Sequence, residues 1–214
     1  MSVAAIFPEG SVNALPILDR LTRGVMEAAT PQPNDDPLER RAIERVQRGD
    51  SGAYDYLVSK YTKRVVSIAW NIVRNAADAE DLAQEAFVRA YETIGRFRAG
   101  ERFGPWIYRI VTNLALDVVK HRSRFRHEEL NVAEPAARRD SADLRASTSE
   151  IVQRVDRALE SLPEMQRIVA RLSLVEGFEH AEIAGMMNLS EGTVRSHLSL
   201  ARAKLREQLA DLYE

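Results

Sequence analysis

The chain has 214 residues, 45% of them hydrophobic, with 30 basic and 32 acidic side chains for a net charge of −2, enough for one fair-sized core or two small ones. It has no cysteine, and its four histidines, His121, His127, His180 and His197, lack metal-ligand spacing, which excludes disulfide staples and thiolate zinc sites and leaves no metal or cofactor to expect. No apolar run approaches the roughly 18 residues that span a bilayer and the N-terminus lacks an export signal, so the expected location is the cytoplasm.

Residues 1–37 are proline-rich and end in TPQPNDDP, which reads as a flexible N-terminal extension. Within it Leu18, Leu21 and Val25 fall near one face of a possible short helix behind Pro16. From Leu38 onward the apolar spacing is helical almost throughout. Leu38, Ala42 and Val46 step by four, Gly49 breaks the helix, and Asp50 is the expected cap of the next. Tyr54, Leu57, Tyr61, Val65, Ile68 and Ile72 then mark a long second helix. Asp78 is the expected cap of a third, whose apolar stripe is Ala83, Phe87, Ala90 and Ile94. Its opposite face carries Asp78, Asp81, Glu85 and Glu92, a continuous acidic stripe.

After the loop RFRAGERFG, Pro105 is placed to open a fourth helix with the buried face Ile107, Val111, Leu114 and Val118. Burial alone does not require its other face, which runs from Trp106 through Arg109, Asn113, Asp117 and Lys120 to Arg124. Residues 102–126 hold six Lys or Arg against one acid. Aromatic rings beside a cationic track suit unpaired bases, since rings stack on bases while cations hold phosphates.

Residues 127–149 lose the apolar rhythm and read as a flexible linker. Periodicity resumes with Ile151, Val155, Leu159 and Leu162, breaks at Pro163, and continues through Met165, Ile168, Val169 and Leu172 to Gly177. Ile183, Ala184 and Met187, the turn NLS, and then Val194, Leu198, Ala201 and Leu205 give the layout of a helix-turn-helix. The outward residues Thr193, Arg195, Ser196, Ser199 and Arg202, with Lys204 and Arg206 beyond, suit base edges first and phosphates later. No segment alternates like a half-buried strand, so the expected class is all-α: two small helical domains joined by a linker, the second a helix-turn-helix.

From about residue 38 the chain resembles the extracytoplasmic-function (ECF) sigma factors of bacterial RNA polymerase. DAEDLAQEAFVRAY looks like the polymerase-binding helix of region two, and RFRAGERFGPWIYRIVTNLALD like the loop and helix that hold the melted minus-ten element. LPEMQRIVARLSLVEGFEHAEIAGMMNLSEGTVRSHLSLARAKL is similar to region four, which reads the minus-thirty-five element. The resemblance implies a region-two domain over 38–126, a linker over 127–149 and a region-four domain over 150–214. It implies core RNA polymerase, promoter DNA and an anti-sigma factor as partners, and no catalysis. By similarity Asp81, Gln84 and Glu85 dock on core polymerase. Arg98, Arg102, Trp106, Asn113, Asp117, Lys120, Arg122 and Arg124 face minus-ten DNA, with an extruded base held by the loop from Arg98 to Gly104. Thr193, Arg195, Ser196, His197, Ser199, Arg202 and Lys204 face the minus-thirty-five element. Pro105 stands where Ser or Thr is frequent, Asp117 where Asn is, and His197 and Leu200 where Arg is common. Two rivals stand beside this reading. One is a helix-turn-helix regulator that binds duplex DNA without polymerase. The other is an enzyme using the carboxylates of DAEDLAQE, for which the sequence supplies no accompanying motif.

Overall fold

The computed structural model describes residues 36–98, 101–129 and 150–212, which are helical and contain no strand. The expected helix around Leu18, Leu21 and Val25 and most of the expected linker lie outside the described residues. Two compact units divide the described residues, with the boundary between Lys120 and His121, inside the last helix of the first, whose final turns from His121 count with the second.

In the first unit, α1 (Pro37–Gln47) leads through a short 3-10 turn into α2 (Tyr54–Val73) and α3 (Ala76–Thr93). A second 3-10 turn precedes α4 (Phe103–Glu129). α2 and α3 pack along most of their length. Ala79, Ala83, Ala86 and Ala90 form a small-residue row on α3 that lets α2 come close, and Leu57, Val65, Ile68 and Ala69 of α2 are wholly buried. Ile107, Val111 and Ala115 of α4 complete this core.

The helix starts differ from the sequence expectation in three places. Asn75 caps α3, its side chain accepting from the Asp78 amide at 3.1 Å, and Asp78 falls within the first turn, where a carboxylate favours the helix dipole. Asp50 makes no side-chain cap; it accepts from Arg45 Nε at 2.8 Å instead. α4 begins at Phe103, so Pro105 is its third residue, a position whose amide has no partner within the helix. Gly104 is buried in that first turn, and a Cβ there would stand 3.1 Å from a ring carbon of Tyr61.

The register of α1 is also corrected. Leu38 is 58% exposed, whereas Glu39 is buried with Ala42, Ile43 and Val46. Lys60 of α2 reaches both Asp36 and Glu39 at 2.6 Å, Tyr61 donates to Glu39 at 2.6 Å, and Tyr56 donates to Asp36 at 2.8 Å. Asp36 also caps α1 by accepting from the Leu38 amide. The Lys60 ammonium, followed by the Tyr56 hydroxyl, holds the Asp36 carboxyl far below the usual carboxylate range. Its contribution to stability is therefore present at neutral pH and is lost as pH falls below the ordinary Asp value of about 4. Lys60→Met leaves Glu39 buried without its cation, so a loss of about 3 kcal/mol is expected. Thermal unfolding followed by circular dichroism checks it: the first unit should melt more than roughly 10 °C lower.

In the second unit, α5 (Glu150–Glu160) precedes α6 (Glu164–Ala170), which widens into a π turn over Arg171–Val175. α7 (His180–Met187) and α8 (Glu191–Gln208) follow. Val155, Leu159, Ile168, Val169, Ile183, Val194, Ala201 and Leu205 are the wholly buried core, while Ile151, read as part of that stripe, is exposed. The π turn buries Arg171, Leu172, Ser173 and Leu174 in succession, which a regular helix with one buried face does not do. Gly177, at φ +78°, ends the segment as expected.

Candidate functional site

On α3, Asp81, Gln84 and Glu85 are exposed together. Glu85 pairs with Arg89 one turn on at 2.6 Å. The face is not purely acidic: Val88 is 56% exposed, seven residues after Asp81 and on the same side, and Tyr91 is 44% exposed beside it. Charge patterning alone passes over these two. The signal was that Ala83, Phe87, Ala90 and Ile94 already filled the buried stripe, leaving Val88 no place in it. An exposed apolar strip edged by acids suits a protein partner with basic and apolar side chains better than it suits DNA.

The second feature stands at the head of α4. Phe97 and Phe103 are buried and form a platform for the half-buried Trp106, with ring centroids 5.0 Å and 5.5 Å away. Tyr61 packs on Phe103 at 5.3 Å and on Tyr108 at 5.9 Å. Gln47, which the sequence did not single out, donates to the carbonyls of Ile94 at 2.9 Å and Phe97 at 3.0 Å. It thereby fixes the chain as it leaves α3 and sets Phe97 under Trp106. Arg98 and Arg102 are exposed on either side of residues 99 and 100, which lie outside the described residues.

Down α4 the exposed Arg109, Asn113, Asp117, Lys120 and Arg124 follow Trp106 on one face, and Asp117 stands 3.7 Å from Lys120. Arg122 is not among them. At about 100° per residue it sits roughly 160° round the helix from Trp106. The structure thus assembles an aromatic platform, an amide and a cationic track, with Arg122 on the other side.

The third feature is the helix-turn-helix of α7 and α8. Glu179 and Glu182 form a capping box at the start of α7, and Asn188 closes α7 in the left-handed region at φ 55°. Ser190 caps α8 by accepting from the Thr193 amide at 3.0 Å, and its hydroxyl lies 2.8 Å from that of Thr193. Ser196 donates to the Gly192 carbonyl at 2.9 Å. Two of the three hydroxyls on that outward face, those of Thr193 and Ser196, are therefore already engaged, and Ser196 keeps only acceptor capacity for a base edge. Arg195, Ser196, Ser199 and Lys204 are exposed; Thr193, His197 and Arg202 are half-buried. Arg195 and Arg202 line one flank of the outer face, His197 and Lys204 the other, with Leu200, 55% exposed, between them.

Comparison with known proteins agrees with this geometry. Residues 57–125 match the family model for sigma-70 region 2, and residues 152–205 that for sigma-70 region 4. The RNA polymerase sigma-H factor of Pseudomonas aeruginosa is 35% identical over 183 residues, covering 81% of this chain and 95% of that protein. The ECF RNA polymerase sigma-E factor of Escherichia coli K12 is 32% identical, covering 79% and 93%. Among solved structures, CnrH in complex with the cytosolic domain of CnrY superposes with a TM-score of 0.59 at 24% identity, over 81% of this chain and 98% of that one. That likeness bears on the fold alone. A helix-turn-helix unit on one chain with a helical unit bearing an aromatic and cationic face defines a DNA-binding transcription protein. More narrowly, the chain belongs to the sigma-70 family of bacterial RNA polymerase sigma factors, within its ECF group. It directs polymerase to promoters, and the family is not one of enzymes. A regulator acting without polymerase is not favoured, because such a protein has no need of region 2. No helix among the described residues is long and apolar enough to cross a membrane.

Proposed function

We propose that residues 38–126 form the polymerase- and minus-ten-binding domain and residues 150–214 the minus-thirty-five-binding domain of a cytoplasmic initiation factor. Asp81, Gln84 and Glu85 meet basic residues on the clamp helices of the largest polymerase subunit, and Val88 and Tyr91 extend that contact. The loop from Arg98 to Gly104 takes an extruded base of the non-template strand, which Trp106 and Asn113 support from below. Lys120 and Arg124 follow the phosphates, and the outer face of α8 enters the major groove. The observation that carries the reading is the Trp106 platform continuing into the Asn113–Lys120–Arg124 face on a chain whose two halves match region 2 and region 4 in order.

Extruding a base costs about a few kcal/mol, and stacking on an aromatic ring returns roughly 1–3 kcal/mol, so losing one support shifts strand opening measurably. Trp106→Ala and Asn113→Ala are each expected to leave recruitment to promoters intact while lowering permanganate reactivity of thymines near the start site. Equal loss of recruitment and opening would assign both residues to folding. The reading as a whole is tested by run-off transcription with core polymerase on genomic fragments, where discrete start sites that depend on this chain are expected. A negative partner also fits. CnrH is complexed with the cytosolic domain of CnrY, and the sigma factor RpoE of Bartonella quintana with the anti-sigma factor NepR. An anti-sigma protein that covers the α3 face would keep this chain from polymerase.

A further inference from the structure

Beside the outer face of α8 lies a cleft that no sequence motif marks. It is lined by His180 from the start of α7 and by Arg195, Leu198, Ser199, Arg202 and Arg206 from α8. Its polar groups are three guanidinium groups, an imidazole and a hydroxyl, with no carboxylate in the wall. Two nitrogens of the lining side chains are unsatisfied: His180 Nε2 and Arg202 Nε are covered by neighbouring atoms and hydrogen-bonded to nothing. The Arg202 Nε–H calls for an acceptor, and the imidazole of His180 can donate to the same one once its ring is protonated. The wall consists mainly of long arginine side chains, which an incoming ligand turns aside at little cost.

We propose that this cleft is a phosphate site in which one backbone phosphodiester of the promoter duplex is bound by Arg202 and His180, with Arg195 and Arg206 at its mouth, so that duplex binding takes up a proton on His180. The proposal rests on α8 being the duplex-reading helix. A diester is favoured over a free anion because the cleft opens on the Arg195 and Arg202 flank of α8, along which a groove edge must run. Burial, then Arg202 and Arg195, hold the His180 imidazole below its ordinary value, against the opposing charges of Glu191 and Glu179. Burial also lowers Arg202, and Arg206 adds to it. An anion between these groups cancels the repulsion and favours the imidazolium, which presents both ring nitrogens as donors. Because the bound state then holds the extra proton, affinity rises as pH falls through the His range and is flat well above it.

The test uses holoenzyme and a fluorescent duplex carrying the minus-thirty-five element mapped by run-off transcription. Between pH 8 and pH 6 the affinity of the natural chain should rise by about tenfold, inside the roughly hundredfold ceiling that uptake of one proton sets over two pH units. His180→Gln, which keeps a side-chain donor but cannot take up the proton, should flatten that rise, while His197→Gln should keep it. Replacing each backbone phosphate in turn by a neutral methylphosphonate should find one position where the rise disappears in the natural chain. Arg202→Gln should lower the dependence of log affinity on log salt by about 1. A rise that survives in His180→Gln, or that no single methylphosphonate removes, overturns the proposal. Saturation of the His180 ring resonances by millimolar inorganic phosphate, with no methylphosphonate effect, would make it a free-anion site and overturn the diester. If the natural holoenzyme transcribes but shows no preference for the duplex element, the reading of α8 fails and the phosphate site with it.

Discussion

Reversing Asp81 and Glu85 together to lysine is expected to abolish holoenzyme formation. Truncating one member of a desolvated charge pair across an interface costs about 2–5 kcal/mol, and reversal adds repulsion, so two reversals should weaken core binding by more than roughly a thousandfold. The fold should not suffer. Both side chains are exposed, and the main internal change is that the Glu85–Arg89 pair gives way to two like charges one turn apart. On a helix surface that exchange is worth about 0.5–1 kcal/mol. Size-exclusion co-elution with core polymerase, alongside far-ultraviolet circular dichroism, reads both quantities. Normal co-elution of the double variant would remove the acidic face from the polymerase contact. Val88→Asp on its own should weaken binding by a smaller factor, since it removes only apolar area from the same strip.

The second large effect belongs to Arg171, whose side chain is wholly buried in the helix-turn-helix unit. It reaches Asp156 and Glu160 of α5 at 2.8 Å each, and Glu160 also faces Arg167 at 3.8 Å. Arg171→Ala removes the cation that neutralises two neighbouring carboxylates and leaves a void behind α6. Breaking a buried pair in this way costs about 3–5 kcal/mol, a large share of the stability of a small helical unit. The variant should lose cooperative thermal unfolding of the second unit and, with it, recruitment to promoters. Replacing all three charges, as D156L/E160L/R171M, should restore the melting transition, because desolvating ions offsets most of what their attraction returns. If R171A melts like the natural chain, the network is dispensable. If the triple variant melts as low as R171A, the side chains matter for shape rather than charge balance.

Much of this architecture is a local property of the chain. The all-α class, the long stripe from Tyr54 to Ile72, the alanine row of α3 and the turn from Asn188 to Ser190 all follow from spacings of three and four and from residues that cap or break helices. Patterns within one helix are visible because the partner surface needs only to be apolar. The outward face from Trp106 to Arg124 was legible for the complementary reason: packing did not account for it. Even the separation of Arg122 from that face follows from helical arithmetic once the helix is known to be continuous.

Tertiary contacts decided the remainder. Leu38 is the more apolar choice for the inner face of α1, yet Glu39 turns inward because Lys60 and Tyr61, more than twenty residues later, supply a cation and a hydroxyl there. The same holds for Arg171, which the π turn carries into the core and two acids of α5 neutralise. Asp50 and Asp78 are good capping residues by type, but Arg45 claims the first and Asn75 stands in the better position for the second. The support beneath Trp106 depends on Gln47, Phe97, Phe103 and Tyr61, which come from widely separated parts of the chain, and on the absence of a Cβ at Gly104. The cleft around His180 likewise exists only because α7 lies across α8. Sequence periodicity tells which face of a helix is apolar, whereas the partner of a buried charge or an unpaired donor is set by what the fold brings within about 3 Å of it.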